Sequence, residues 1–250
     1  MLDDIVTMTR QLRPEAEPRQ GLTRVLLRPT LAMSFVRRFV ASNLNAAAVL
    51  AGRSAYTLED FRVGRKVARS DLSLVIDTLL DLELAASPVS SEGVPGGRAE
   101  LVSAGNLARP VANLKQSGLS GFPPTPVPGG PPSCLLRSSR KLIARQELIE
   151  SLDDVLEVSS VLGLHGQDPR SGRYNTVAPA GLVMNGGRPL GRAKVSITGN
   201  FFEHLLDERL ELVNYGWGLN PGLLIWTTVS SAGSAMTPAS LGSPDQPSLA

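Results

Sequence analysis

Arg62, Arg65, Lys66 and Arg69 place four cations within eight positions, and Ser70, Asp71 and Ser73 follow at once. Cationic side chains at that density suit phosphate, through contacts that are salt-sensitive and indifferent to base sequence. Arginine and serine in the first turn of a helix also match the hydrogen-bonding edges that base pairs show in a major groove. Arg98 stands at the exit of the turn cluster Gly93-Val94-Pro95-Gly96-Gly97, where a hairpin would carry its charge to a minor groove or a phosphate.

Two helices and a hairpin must hold those groups. Thr57 can cap a first helix, with Asp60 three positions on, and Leu58 and Phe61 begin its apolar face. Gly64 and Val67-Ala68-Arg69 break that face. From Arg69 or Ser70 a second helix is expected, because Leu72, Val75, Ile76, Leu79, Leu80 and Leu84 recur at three- and four-residue spacing. Ala85–Ser90 and Ala99–Ser103 read as two short strands on either side of the Gly/Pro turn.

This stretch resembles the winged helix-turn-helix of the MarR-type transcriptional regulators. The resemblance lies in Thr57-Leu58, in Arg69-Ser70, in Asp77 followed by Leu79 and Leu84, and in Arg98 to Gly105, which is similar to the second wing strand and the turn after it. Upstream, Leu31–Asn43 is similar to that family's first long helix and Asn45–Ala51 to its second, so the likeness spans about residues 20–116. Arg62 and Lys66 depart from it, standing where the family usually has a small residue and a glycine. The resemblance implies duplex DNA as the partner, contacted by Arg62, Arg65, Lys66, Arg69, Ser70, Asp71, Ser73 and Arg98, an effector of unknown identity, and a homodimer. Leu26, Leu27, Leu31, Phe35 and Phe39, within Leu22–Val40, either supply the dimer surface or close the domain's own core.

Composition narrows the class. A formal net charge of +2 over 250 residues is too small for a general coat of positive charge, so any nucleic-acid contact must be local. Aromatic residues make up 4% of the chain, which argues against stacking platforms for single strands. Cys134 is the single cysteine, which fits a reducing compartment, and its expected place is beside a loop. The start, Met1-Leu2-Asp3-Asp4, is acidic where a secretory leader is basic, and no apolar run of about 18 residues is present to span a membrane. A cytoplasmic protein is expected.

The expected architecture is α+β: an N-terminal segment 1–19, a winged helix-turn-helix domain 20–117, a Pro/Gly-rich linker 118–133, a smaller mixed α/β C-terminal region 134–230 and a disordered C-terminal tail 231–250. Within the second half, Ser138–Leu162 has the spacing of an amphipathic helix, Asn185-Gly186-Gly187 signals a turn, Lys194–Thr198 alternates like a half-buried strand, and Asn200 with Glu203 opens a helix to about Leu212. Val195–Leu205 is similar to a segment of plasmid replication initiators.

No catalytic or metal-holding set is legible. His165 lies in a Gly-rich stretch and His204 in the expected helix, with no second ligand at useful spacing. Asp153 and Asp154 are adjacent, so a helix points them to different faces. The glycine clusters at 163–166 and 186–187 lack the flanking residues of a phosphate or dinucleotide loop. The sequence therefore predicts a protein that is not an enzyme and needs no cofactor: a duplex DNA-binding regulator that works by occupying an operator. A plasmid or phage replication initiator, or a virion assembly or adaptor protein, stands as the alternative.

Overall fold

Gly186 and Gly187 decide the longest piece of structure in the chain. In the computed structural model, which describes residues 10, 14–80, 86–126 and 134–231, both have positive φ, 52° and 77°. A two-residue hairpin turn of type I′ needs that pair of conformations, and residues with a Cβ rarely adopt it. Strands β8 (Arg173–Asn185) and β9 (Arg188–Asn200) accordingly run antiparallel from the turn, with Asn185 opposite Arg188.

Four further strands and a short one join this hairpin: β1 (Gly21–Leu27), β6 (Ile143–Ala144), β7 (Val155–Val158), β10 (Glu211–Asn214) and β11 (Gly222–Ser231). The order across the sheet is β1-β7-β8-β9-β11-β10-β6. Strand β1 also pairs with β11, from Gly21 opposite Val229 to Leu27 opposite Leu223. Five strands thus close into a ring, which removes most of the open edge that would invite strand addition. A second, antiparallel sheet has the order β4-β3-β2-β5, with β2 (Leu72–Asp77), β3 (Arg98–Ser103), β4 (Asn106–Leu107) and β5 (Cys134–Ser138).

The α-helices among the described residues are short, and four of the six begin at a side chain that satisfies free N–H groups. α1 (Pro29–Phe35) begins at a proline, whose missing N–H costs nothing in a first turn, and runs directly into a π-helix, Val36–Ala41. Asn45 caps α2 (Ala46–Leu50), and Thr57 and Asp60 cap α3 (Leu58–Arg62) reciprocally, as their spacing predicts. Asn113 and Gln116 do the same for α4 (Leu114–Ser120), which closes on the left-handed Gly121. α5 (Arg145–Glu150) and α6 (Phe201–Leu206) complete the set, the latter capped by Asn200.

Alternation along β1 divides the core in two. Val25 and Leu27 join α1, the π-helix and the second sheet in the larger cluster, whereas Leu26 faces Leu148 and Ile149 of α5 with Leu182, Met184 and Leu224. A chain with few aromatic residues concentrates Phe35, Phe39, Tyr174 and Phe201 at the centre of the larger cluster. Phe35 meets Tyr174 edge-on at 5.0 Å and Phe39 lies 5.8 Å from Phe201, contacts worth about 0.5–1.5 kcal/mol each beyond the area they bury.

The expected winged helix is not present. Residues 72–77, expected as the start of a recognition helix, form β2, held between β3 and β5. The physical reason is burial: a strand enclosed on both faces carries a continuous apolar run, and Leu72, Leu74, Val75 and Ile76 satisfy helical spacing by accident. Leu84 and Ala85, the end of that expected helix, lie outside the described residues. Nor is the first half a separate α-helical module, since β1 is built into the ring with β11. Arg98–Ser103 is a strand as expected, but it pairs with β2 rather than forming a wing.

Other expectations change with it. Ser138–Leu162 holds only the six-residue α5, flanked by β6 and β7, and Cys134 opens a buried strand instead of lying beside a loop. The helix from Asn200 ends at Leu206, before β10 begins at Glu211. Leu26, Leu27, Leu31, Phe35 and Phe39 are buried within this one chain, so they offer no surface to a homodimer. Residues 1–4, 127–133 of the expected linker and 232–250 of the expected tail lie outside the described residues. Among those described, no helix is long and apolar enough to cross a membrane.

Candidate functional site

The residues expected to meet DNA are not all at the surface, since Arg69 and Asp71 are buried. Arg69 is 3% exposed, and its guanidinium is consumed internally: Nη2 donates to Asp71 Oδ2 at 3.1 Å, and Nη1 donates to the carbonyls of Glu208 at 3.0 Å and Leu210 at 2.7 Å. Asp71 also accepts from Ser138 Oγ at 2.6 Å. The pair therefore clamps the approach to β2, the end of β5 and the loop between α6 and β10. Burial opposes the charge on Asp71, but hydrogen bonds from Arg69 and Ser138 and the charges of Arg69 and Arg140 outweigh it and hold its pKa down at about 2.

The remaining cations are exposed and mostly paired nearby. Arg62 faces Glu59 at 3.6 Å, Arg65 faces Asp60 at 3.4 Å and lies over the Tyr56 ring, and Arg98 faces Glu100 at 3.1 Å. Lys66 bridges by its backbone to Asn106. Ser70 is exposed at the turn into β2, and Ser73 Oγ accepts from the Ala104 N–H at 3.0 Å. With no helix beneath Ser70, Asp71 and Ser73, nothing presents them together to a groove.

Donors that could serve chemistry lie elsewhere, and most are already bound. Tyr174 Oη sits 2.8 Å from both His204 Nε2 and Thr227 Oγ1, and Thr227 Oγ1 donates to the Thr198 carbonyl at 2.8 Å. Burial lowers the His204 pKa to about 4, with Asp207 opposing and Arg209 reinforcing the shift. A neutral imidazole inside a closed network suits packing specificity, not proton exchange with a substrate. On the other face of β7, buried Glu157 accepts from Arg145 Nε at 2.9 Å and from Tyr215 Oη at 2.8 Å. The Cys134 thiol is pushed up to about 11 by burial, which the charge of Arg37 only partly offsets, so it stays protonated at neutral pH. His165 is exposed on a single turn of 3₁₀ helix, Leu164–Gly166. Among the described residues, no three His, Cys, Asp or Glu side chains converge to hold a metal ion.

One concavity combines free polar groups with room. A cavity of about 520 Å³ opens between the π-helix and α2, with Arg37, Ser42, Asn45 and Arg53 supplying its polar lining. Ala41, Ala47, Ala48 and Val111 supply its apolar walls. Its frame is fixed by backbone: Ala46 N–H donates to the Val111 carbonyl at 2.8 Å and Val111 N–H to the Leu44 carbonyl at 2.7 Å. Extra residues wound into a π-helix are frequent at functional sites, and here the π-helix carries Arg37 and Ala41 onto the rim. Sequence reading missed this site, because Arg37, Asn45 and Arg53 are isolated polar residues whose proximity depends on two different helices.

Comparison with known proteins fixes the family. The model for the PmbA/TldA metallopeptidase C-terminal domain matches residues 20–216. Among solved structures, TldE from Thermococcus kodakarensis aligns with a TM-score of 0.73 at 16% identity, covering 92% of this chain and 55% of that one. Two proteins described as candidate modulators of DNA gyrase also align. The one from Thermotoga maritima has a TM-score of 0.69 at 21% identity, with coverage of 86% and 51%. The one from Bacteroides thetaiotaomicron has a TM-score of 0.70 at 16% identity, with coverage of 92% and 51%. At these identities the likeness establishes the fold, and the chain spans about half the length of the structures it matches. No curated protein matches it.

These matches overturn the reading as a MarR-type, homodimeric, DNA-binding transcriptional regulator, together with its initiator and adaptor alternatives. The expectation of a non-enzyme falls too, because the matched family is described as a metallopeptidase. Residues 20–216 place this chain in the PmbA/TldA metallopeptidase family, whose C-terminal domain they form.

Proposed function

We propose that this chain serves peptide hydrolysis as the peptide-binding C-terminal domain of a PmbA/TldA-type metallopeptidase. The observation that carries the reading is the open cavity between the π-helix and α2, the one concavity described above that joins unengaged polar donors to apolar walls within the region the family model matches. Such a mixture suits a peptide, whose carbonyls and carboxylates take the donors while its side chains take the walls.

The metal that the family name implies does not fit the described residues. His204 is locked against Tyr174, Cys134 is a buried thiol with a raised pKa, and His165 belongs to no group of three such ligands among the described residues. A hydrolytic metal needs about three protein ligands and an open position. No step is therefore assigned to a metal on these side chains, and the ligands for it are proposed to come from outside the described residues. A reducing, cytoplasmic setting suits the free thiol of Cys134.

The test is a titration of the full chain into a pool of fluorescently labelled unfolded peptides, paired with metal analysis after dialysis against zinc. Saturable peptide binding without stoichiometric zinc is the expected result. Absence of any peptide binding overturns the peptide role, and one tightly held zinc per chain overturns the division of labour.

A further inference from the structure

The cavity between the π-helix and α2 offers donors and no acceptor of matching strength. Arg37 and Arg53 both line it, both are exposed, and neither side chain has a hydrogen bond or ion pair with another described residue. This sets them apart from Arg62, Arg65, Arg69, Arg98 and Arg145, each of which faces a carboxylate within the chain. Asn45 accepts the Ala47 and Ala48 N–H groups through Oδ1 alone, at 2.9 and 3.4 Å, which leaves its Nδ2 protons directed to no described acceptor. Among the described residues no carboxylate lines the cavity.

Two guanidinium groups and an amide donor around small apolar walls define the ligand by its chemistry. Arginine prefers planar anions that can accept two parallel hydrogen bonds, which is the geometry of a carboxylate. Ala41, Ala47, Ala48 and Val111 leave space for an aliphatic chain leading to it but supply no ring for stacking. We infer that this cavity is a recognition site for the carboxylates of an acidic peptide, with Arg37 and Arg53 reading the charge and Asn45 fixing its orientation. This rests on the peptide-binding reading above and narrows its substrate class. The short α2 acts only as a wall, and the rigid Asn45 to Val111 backbone bridge keeps the two arginines on a common frame.

The experiment compares two labelled peptides of identical sequence except that one carries a C-terminal Asp-Glu pair and free carboxylate, and the other Asn-Gln and a C-terminal amide. Fluorescence anisotropy with the full chain is expected to show tighter binding of the acidic peptide, falling as salt is raised. Arg37→Ala and Arg53→Ala each weaken it about tenfold, as loss of a charge-assisted hydrogen bond does, and weaken the neutral peptide by less. Arg37→Lys restores part of the affinity, because charge is kept and the bidentate fork is lost. Circular dichroism checks that these exposed substitutions keep the fold. If both peptides bind equally and the arginine variants match the parent, the carboxylate site is overturned while the peptide role stands. If neither peptide binds, both are overturned.

Discussion

Asn220 completes the edge of β5 with its side chain: Oδ1 accepts the Leu136 N–H at 2.9 Å, and Nδ2 donates to the Cys134 carbonyl at 3.3 Å. One amide thus imitates the pairing of a neighbouring strand. It also ties the four-stranded sheet to the loop between β10 and β11, where Arg137 reaches the Leu219 carbonyl at 2.6 Å.

Replacing Asn220 by Ala strands an edge N–H and C=O beside the core, at a cost of about 1–3 kcal/mol. Urea titration should show a lower midpoint with an unchanged slope. Asn220→Asp should lose the Cys134 bond alone and fall between the two. An unaltered midpoint for Asn220→Ala would mean that water replaces the amide without penalty.

Removal of Arg69 leaves the carboxylate of Asp71 buried and deprived of its main partner, so Arg69→Ala should destabilise by about 3 kcal/mol or more. The same pair makes the fold acid-sensitive. Because the folded pKa of Asp71 is depressed to about 2, its stabilisation is present above the ordinary carboxylate value and drains away as pH falls from about 4 towards 2. Denaturation of the parent and Asp71→Asn across that window should converge at the acid end. Parallel curves would assign the acid sensitivity to other groups.

His204 acts in a higher window. Its folded pKa of about 4 lies below that of an unfolded histidine, so the unfolded chain binds the extra proton. Stability is therefore complete above about pH 6.5 and declines by roughly 1.4 kcal/mol per unit as pH falls towards 4. His204→Gln, which cannot titrate, should flatten the slope between pH 6.5 and 4.5. Persistence of the full slope in that variant would refute the assignment.

Gly199 leaves no room for a methyl group, because a Cβ there would lie 2.7 Å from Thr227 Oγ1 and Tyr174 Oη and 2.8 Å from His204 Nε2. Those atoms are side-chain ends, yet their mutual hydrogen bonds hold them in place. Gly199→Ala should cost about 1–3 kcal/mol, and adding Tyr174→Phe, which deletes the crowded oxygen, should cost less than the two single changes together. Strict additivity in thermal melts would locate the strain elsewhere.

Local signals in the sequence survived where a few neighbouring residues decide the outcome. Thr57 with Asp60, Asn200 before Phe201, and Asn185-Gly186-Gly187 each form the cap or turn their chemistry demands. Elements set by distant partners did not survive. Leu72–Asp77 becomes a strand because β3 and β5 enclose it, and Arg69 turns inward because the carbonyls of Glu208 and Leu210 await it from about 140 residues away. A basic cluster looked like a binding face, whereas the arginines lining the open cavity are Arg37 and Arg53, unremarkable in spacing and brought together by the meeting of the π-helix with α2.

The β1 to β11 pairing has a consequence for the order of folding. The antiparallel partner of residues 21–27, at 222–231, is made roughly 200 residues after them, a wait of tens of seconds at typical rates of synthesis. The ring cannot close during that interval. Until then strand β1 lacks its β11 cover, with one edge and the apolar side chains of Val25, Leu26 and Leu27 open to chaperones or, after premature termination, to aggregation.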